Sequence, residues 1–127
     1  SINSFFLDKL SQIAQKLNSN QQGNVIRKMK EYIEANYNSD LTLKNLSKIF
    51  HYNVAYFGKL FKSNTGMSYN DYVTSVRMEK AKELLNQGEK VYKVANQVGY
   101  QDLDYFNMKF KKYFNALPSD FHKDNNK

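Results

Sequence analysis

Residues 90–118 read KVYKVANQVGYQDLDYFNMKFKKYFNALP, and this stretch decides the fold. Its first part has apolar residues at positions i, i+3, i+4 and i+7, which is the stripe of a short amphipathic helix. These residues are Val91, Val94, Ala95 and Val98. Gly99 suits the left-handed residue that ends such a helix, and Asp102 can accept the free amide protons that open the next one. The chain is therefore predicted to turn at Gly99 and to begin a second helix.

The second helix has two stripes on different faces. Its apolar stripe consists of Leu103, Phe106, Phe110 and Tyr113. Its other stripe is mostly polar and consists of Asp104, Asn107, Met108 and Lys111. Two helices joined by a tight turn, the second with a polar and basic outer face, are typical of a helix-turn-helix unit. A plain helical hairpin in a small bundle explains the apolar stripes equally well.

The same plan occurs earlier in the chain, as an internal repeat of eight residue pairs. The earlier members are Leu46, Ser47, Phe50, Tyr52, Tyr56, Phe57, Phe61 and Lys62. Their counterparts are Val94, Ala95, Val98, Tyr100, Tyr105, Phe106, Phe110 and Lys111, offset by 48 positions before the turn and 49 after it. The outer stripe repeats as Ala55, Gly58, Lys59 and Lys62. A repeated ligand explains two equally placed outer stripes better than packing does, and a duplex repeats along its axis.

Length and composition restrict the class of protein. A chain of 127 residues suffices for one domain with a modest core, or for two very small lobes that share helices. It has no cysteine, which excludes disulfides, thiolate metal sites and thiol nucleophiles. No apolar run approaches the roughly 20 residues of a membrane span, and no secretory leader is recognisable. A soluble cytoplasmic protein without a membrane partner is the expectation.

The charge distribution favours a polyanionic partner. The formal net charge is +7 and the isoelectric point is near 9.5. Residues 41–70 contain four lysines and no acidic residue, and residues 105–123 contain four lysines against Asp120 alone. Both repeated units are therefore basic where they would meet phosphate.

Nothing in the sequence predicts an enzyme. There is no glycine-rich phosphate loop, and no pair of carboxylates has a helical spacing inside an apolar pattern. We predict no catalytic residue, no cofactor and no metal site. His51 takes the turn position that Gly99 has in the second copy, and histidine tolerates positive φ. It is interpreted as a turn residue, because the other histidine of the chain is His122.

The order of elements predicts an all-α fold of about seven helices. Two helix-turn-helix units are joined by a long linker helix over about 69–86 and are preceded by an N-terminal connecting helix. The predicted caps are Asn24, Thr42, Asn53 and Ser68, with a first helix ending near Tyr37 and a closing helix from Pro118 to about Lys123. Eighteen residues span about 27 Å, close to the roughly 34 Å pitch of the duplex.

The N-terminal segment is expected to belong to something larger. Residues 1–17 place Phe6, Leu10, Ile13 and Leu17 in a heptad-like seam, and residues 18–23 form a polar linker. The helix is interpreted as the connection from an absent N-terminal domain, with dimerisation or packing on this domain as alternatives. The predicted domains are a connecting segment over 1–23, a double helix-turn-helix domain over 24–123, and a disordered tail over 124–127.

Five stretches carry a resemblance to a known family. They are LTLKNLSKIF (41–50), YFGKLFKSNTG (56–66), RMEKAKELL (77–85), VANQVGY (94–100) and YFNMKFKKYFN (105–115), with Pro118 following. In this order, over about residues 24–123, the chain resembles the C-terminal DNA-binding domain of AraC-type (AraC/XylS) transcription regulators. The last two stretches, at this spacing after the first three, are highly specific.

The resemblance implies a sequence-specific domain that binds double-stranded DNA. Its recognition helices, about 54–65 and 103–114, would enter neighbouring major grooves, held apart by the long helix. The implied base-facing residues are Ala55, Gly58, Lys59, Leu103, Asp104, Asn107 and Met108. The lysines expected to contact phosphate are Lys62, Lys111 and Lys112. Family members often have arginine in place of Met108, so a guanine-reading fork is missing from the second helix.

The resemblance also implies partners other than DNA. They are RNA polymerase, an N-terminal effector or phospho-receiver domain, and a second copy of the full-length protein. Two interpretations of other classes stay open at this point. One is a basic helical module that binds an acidic protein, and the other is a non-specific nucleic-acid binder.

Overall fold

The computed structural model describes residues 22–121, which form seven α-helices and, over that range, no strand. The helices are α1 (22–35), α2 (Leu43–Ile49), α3 (Val54–Thr65), α4 (Tyr69–Asn86), α5 (Val91–Gln97), α6 (Leu103–Phe114) and α7 (Pro118–Phe121). The all-α prediction is confirmed, and α4 has the predicted bounds. The predicted connecting helix over 1–17 and the tail over 124–127 lie outside the described residues.

The start of α1 differs from the prediction. The predicted linker over 18–23 is wrong at its end, because residues 22 and 23 are already helical, and Asn24 lies inside the helix instead of capping it. The helix also ends at residue 35, before Tyr37. Glycine and asparagine disfavour a helix by only about 1 kcal/mol or less each. Burial of one face of the helix outweighs this cost; that face consists of Ile26, Met29 and Ile33.

The long helix α4 belongs to two hydrophobic cores. Tyr69 and Val73, in its first half, pack with α1, α2 and α3. Met78, Ala81 and Leu85, in its second half, pack with α5 and α6. Because the core side chains change partners within one unbroken helix, α4 is the element that connects the two units.

The internal repeat predicted from the sequence is confirmed in the lengths of the helices and in the turns between them. Helices α2 and α5 have seven residues each, and α3 and α6 have twelve each. Both turns are Schellman motifs, in which the amide of Tyr52 donates to the Ser47 carbonyl and the amide of Tyr100 donates to the Ala95 carbonyl. His51 has a φ of 62° and its counterpart Gly99 has a φ of 103°.

Most predicted caps are confirmed by side-chain hydrogen bonds. The capping side chains are Thr42 for α2, Asn53 for α3, Ser68 for α4 and Asp102 for α6. Helix α7 begins at Pro118 as predicted, and its Asp120 carboxylate accepts a hydrogen bond from the Leu117 amide. The Asp120 carboxylate thus provides a hydrogen-bond acceptor at the start of α7, where the Leu117 side chain has no polar group that could cap the helix.

The apolar stripe predicted for α6 is half wrong. Phe106 and Phe110 are fully buried, but Leu103 and Tyr113 are each 41% exposed. Both lie near the ends of α6, beyond the part that the core covers. At the C-terminal end of α6, Phe114 is partly buried, and the centroid of its ring lies 4.6 Å from the centroid of the Phe110 ring. Leu103 is thereby available to the outer surface.

Candidate nucleic-acid interface

Helix α3 presents a small and basic outer surface. The Asn53 side chain accepts hydrogen bonds from the amides of Ala55 and Tyr56, which fixes the start of the helix. The inner face is anchored by Phe57, Leu60 and Phe61, as predicted. Fixing this face turns three members of the predicted site outward, and all three are exposed: Ala55, Lys59 and Lys62.

Gly58 lies at the edge of this outer surface and is half-buried. A Cβ at this position would be 3.1 Å from Cδ2 of Leu43, on α2. The atom that would crowd a Cβ here thus belongs to a side chain of the preceding helix. Asn107, the counterpart in α6, is also half-buried.

Helix α6 presents a chemically mixed outer surface. The Asp102 carboxylate accepts a hydrogen bond from the Tyr105 amide and opens the helix. Of the predicted site residues on α6, five are exposed: Leu103, Asp104, Met108, Lys111 and Lys112. Met108 is 57% exposed, which is unusual for a methionine in a well-packed domain and leaves the thioether free for an apolar contact.

The lysines of the two outer surfaces are free of carboxylate partners. Over residues 22–121 the ion pairs are Arg27–Glu31 and Lys80–Glu83, and neither lies on α3 or α6. Lysines 59, 62, 111 and 112 therefore carry uncompensated charge. Lys109, also on α6, has an aromatic neighbour: its ammonium lies 5.6 Å from the centre of the Tyr105 ring.

Two exposed tyrosines lie beside the outer stripes, and the sequence alone did not indicate a function for them. Tyr56 and Tyr105 are counterparts in the repeat and are 48% and 45% exposed. Their rings contact the tyrosine of the preceding turn, at 5.9 Å for Tyr52–Tyr56 and 5.9 Å for Tyr100–Tyr105. The repeat could have identified them, because a tyrosine repeated at an exposed position is not needed for the core.

Arg77 is the other residue that the sequence analysis missed. It is half-buried on α4, and its Nε donates to the Tyr37 carbonyl at 2.7 Å. Its Nη2 donates to the Ser39 carbonyl at 2.8 Å. The partners lie 38 to 40 positions earlier in the chain, so no local pattern could have indicated the contact.

Metal and membrane binding find no support in the described residues. The part of the chain that the structure describes holds no group of three or more histidine, aspartate or glutamate side chains arranged to bind a metal. None of the helices between residues 22 and 121 is long and apolar enough to cross a membrane. His51 lies in the turn with positive φ, as predicted for a turn residue.

Comparison with known proteins agrees with this geometry. The family model described as a helix-turn-helix domain matches residues 46–124. The chain is 31% identical to the Msm operon regulatory protein of Streptococcus mutans over 100 residues, which cover 78% of this chain and 36% of that protein. The chain thus spans about a third of the length of this relative.

Two solved structures share the fold. One is the C-terminal domain of AraT, a response regulator from Geobacillus stearothermophilus, with a TM-score of 0.76 and 29% identity. The match covers 79% of this chain and 84% of that one. The other is the C-terminal domain of the two-component response regulator yesN from Fusobacterium nucleatum, with a TM-score of 0.71 and 37% identity. That match covers 78% of this chain and 95% of the other.

The chain belongs to the AraC-type helix-turn-helix family of transcription regulators. It is a sequence-specific DNA-binding domain and not an enzyme. The resemblance read from the sequence is therefore confirmed, both for the family and for the class of function.

Proposed function

We propose that the domain places α3 and α6 in neighbouring major grooves of one duplex, so that it recognises two blocks of sequence about one helical turn apart. The observation that carries this proposal is the shared α4, whose two halves are buried in the cores of the two units. Eighteen helical residues span about 27 Å, which approaches the roughly 34 Å pitch of B-DNA. A stiff connection of this length suits two adjacent grooves.

Base contacts are assigned to the outer stripes. In the first unit these residues are Ala55, Gly58 and Lys59, and in the second they are Leu103, Asp104, Asn107 and Met108. The ammonium of Lys59 donates to O6 or N7 of guanine, whereas the Met108 thioether contacts the thymine methyl group. The small residues of α3 allow its backbone to approach the groove closely.

Phosphate contacts are assigned to Lys62, Lys111 and Lys112, which are exposed and have no carboxylate partner among the described residues. The hydroxyl groups of Tyr56 and Tyr105, beside the stripes, are suited to the same backbone. Three lysine–phosphate contacts give a slope of log K against log salt of about −3. These contacts fix the register of the protein and carry no sequence information themselves.

The full-length protein is proposed to be a longer cytoplasmic regulator. Similarity to the C-terminal domains of two response regulators favours an N-terminal receiver or effector domain that controls this one. RNA polymerase and a second copy of the regulator are proposed as its further partners. Transcription from a selected site, with and without the full-length protein, tests the polymerase contact, and sedimentation of the full-length protein tests the dimer.

Selection of bound duplexes from a random pool tests the two-groove proposal. The expected result is a consensus of two blocks whose centres lie about 10 base pairs apart. Selection of a single short block would mean that only one of the two helices reads DNA. Enrichment without any consensus would mean that the domain recognises only the phosphate backbone.

A further inference from the structure

The half-buried side chain of Arg77 connects parts of the molecule that belong to different units. Arg77 lies on α4 between Val76, which packs against the first core, and Met78, which is buried in the second. Its two hydrogen bonds, to the carbonyls of Tyr37 and Ser39, hold the connection between α1 and α2. Arg77 is thus at the point where α4 passes from one core to the other.

The same guanidinium group contacts the turn of the second unit. Its Cζ lies 5.3 Å from the centre of the Tyr100 ring, a cation–π distance. A Cβ on Gly99 would lie 3.2 Å from Cζ and Nη2 of Arg77 and 3.2 Å from the carbonyl oxygen of Tyr37. Gly99 therefore allows the second turn to pack against both Arg77 and the segment that Arg77 holds.

The boundary between the units is closed at Tyr37, which packs against the core of the second unit, and open further along. A cleft of about 640 Å³ separates the α1–α2 connection, at Asp40 and Thr42, from the second turn, at Gln101 and Asp102. Arg77 is among the residues that line this cleft. Arg77 joins the two sides, because it donates hydrogen bonds to carbonyls on the first and lies over the Tyr100 ring on the second. Its loss is therefore expected to change their relative angle.

We infer that Arg77 is a positioning residue that fixes the angle between the two helix-turn-helix units, and with it the spacing between the two sequence blocks that the domain accepts. This inference rests on the proposed two-groove placement. Arginine suits the role because its planar fork donates from two nitrogens at once and its face stacks on an aromatic ring. Lysine offers a single donor atom and cannot make both hydrogen bonds with the same geometry.

The test compares Arg77→Met with wild-type protein on a series of duplexes in which the spacing between the selected blocks is changed by −1, 0, +1 and +2 base pairs. Wild-type affinity is expected to fall by about tenfold or more for a change of one base pair, because the duplex must deform to compensate. Arg77→Met is expected to vary by less than about threefold over the series, with the preference inside each block unchanged. Lys80→Met, the same loss of charge on α4 away from the bridge, serves as the matched control and is expected to keep the wild-type profile.

Arg77→Lys keeps the charge but only one donor atom, so an intermediate profile is expected. It also provides the test if Arg77→Met does not fold, which circular dichroism would reveal. A spacing preference as sharp as that of the wild type in the folded variants would overturn the role of Arg77 and leave the two-groove placement intact. A wild-type protein that shows no spacing preference would overturn both, so the two failures are distinguishable.

Discussion

The turns of the two helix-turn-helix units have the same hydrogen bonds and different surroundings. Tyr52, in the first turn, is 37% exposed, and its ring stacks on Tyr56 and Phe57 of its own unit. Tyr100, in the second turn, is 8% exposed and lies beside Arg77. The tyrosine of the first turn therefore packs on rings of its own unit, whereas the second turn is coupled through Arg77 and Gly99 to α4 and to the α1–α2 connection.

The outer surfaces of α3 and α6 also differ, in the variety of their side chains. The first unit offers small side chains and the ammonium group of Lys59. The second unit offers a carboxylate, an amide and a thioether, at Asp104, Asn107 and Met108. The first unit, whose turn tyrosine is more exposed, thus has fewer kinds of polar group on its outer surface. The second unit, whose turn packs against Arg77, has more kinds. Under the two-groove proposal, misplacement of α6 would therefore disturb more kinds of contact than misplacement of α3.

The largest effect is expected from inserting one alanine between Val76 and Arg77. The insertion falls between the residues of the two cores, so it rotates the second unit by about 100° relative to the first. Affinity for a two-block duplex should fall by at least about 100-fold, toward the affinity for one block. Footprinting measures this, with a four-residue insertion as the control, because it restores most of the rotation. Protection of both blocks by the one-residue variant would show that α4 is a flexible connector.

A pair of turn substitutions should show how much more tightly the second turn is constrained than the first. His51→Asn keeps a residue that tolerates the φ of 62° at an exposed position, and the change in the free energy of unfolding should stay within about 0.5 kcal/mol. Gly99→Asn strains a backbone whose φ is 103° and also places a Cβ against Arg77 and Tyr37, and about 1–3 kcal/mol of destabilisation is expected. Urea unfolding gives both values. Equal costs at the two positions would contradict the coupling of the second turn.

Replacement of Lys59 tests the surface of the first unit. Lys59→Ala should lose about 1–3 kcal/mol of discrimination at one or two base pairs of the first block. Lys62→Ala, one helical turn further along α3, should weaken binding to all sequences and reduce the salt slope by about 0.9. Selection experiments with both variants distinguish these outcomes. If Lys59→Ala weakened binding equally on all sequences, Lys59 would be a phosphate contact.

Replacement of Met108 tests the surface of the second unit. Met108→Arg introduces the arginine that family members often have there, and binding to all DNA should become tighter because of the added charge. A new preference for guanine in the second block is also expected, worth about 1–3 kcal/mol. The measurement is the consensus selected by the variant. Tighter binding with an unchanged consensus would mean that residue 108 does not face the bases.

The smallest effect expected is a loss of folding stability at alkaline pH, which arises mainly from tyrosines of the first unit. Burial raises the pKa of Tyr69 to about 12, and burial together with the Glu34 carboxylate raises the pKa of Tyr72 to about 12. Because both values exceed the ordinary value of 10.0, the folded state retains these protons longer than the unfolded state does. Their contribution is complete below pH 10 and is lost as the pH rises through about 12.

Tyr69→Phe should therefore reduce the loss of stability between pH 10 and 12, and the hydrogen bond from the Tyr69 hydroxyl to the Leu41 carbonyl is lost as well. The lost bond costs about 1 kcal/mol at neutral pH. Tyr92→Phe, at an exposed position of the second unit, is the control. Thermal melting across this pH range is the measurement, and identical pH profiles for Tyr69→Phe and wild type would contradict the assignment.

The features that sequence predicted correctly are those that depend on neighbours along the chain. The caps at Asn53 and Asp102, the left-handed turn residues His51 and Gly99, and the repeat itself follow from short-range chemistry. The mostly polar stripes were also predictable, because helical spacing determines which residues share a face with the buried phenylalanines.

The features that sequence missed depend on distant contacts. Arg77 finds its partners at Tyr37 and Ser39, and Gly58 is packed by Leu43, so neither role is encoded in a local pattern. Leu103 and Tyr113 continue the apolar spacing of α6, but only the tertiary structure determines where the core stops covering the helix. Residues 22–24 were expected to lie outside α1, but burial further along the helix outweighs the low helix propensities of Gly23 and Asn24.

The central claim is that α3 and α6 occupy two adjacent major grooves on one face of the duplex, and the absence of cysteine allows a direct measurement. Single cysteines introduced as Ala55→Cys and Asp104→Cys would each carry an iron–EDTA group, after each conjugate has been shown to bind the selected duplex. The two conjugates should cut the DNA in separate zones about 10 base pairs apart, on the same face. Cleavage of one common zone by both conjugates, or of zones on opposite faces, would contradict the claim.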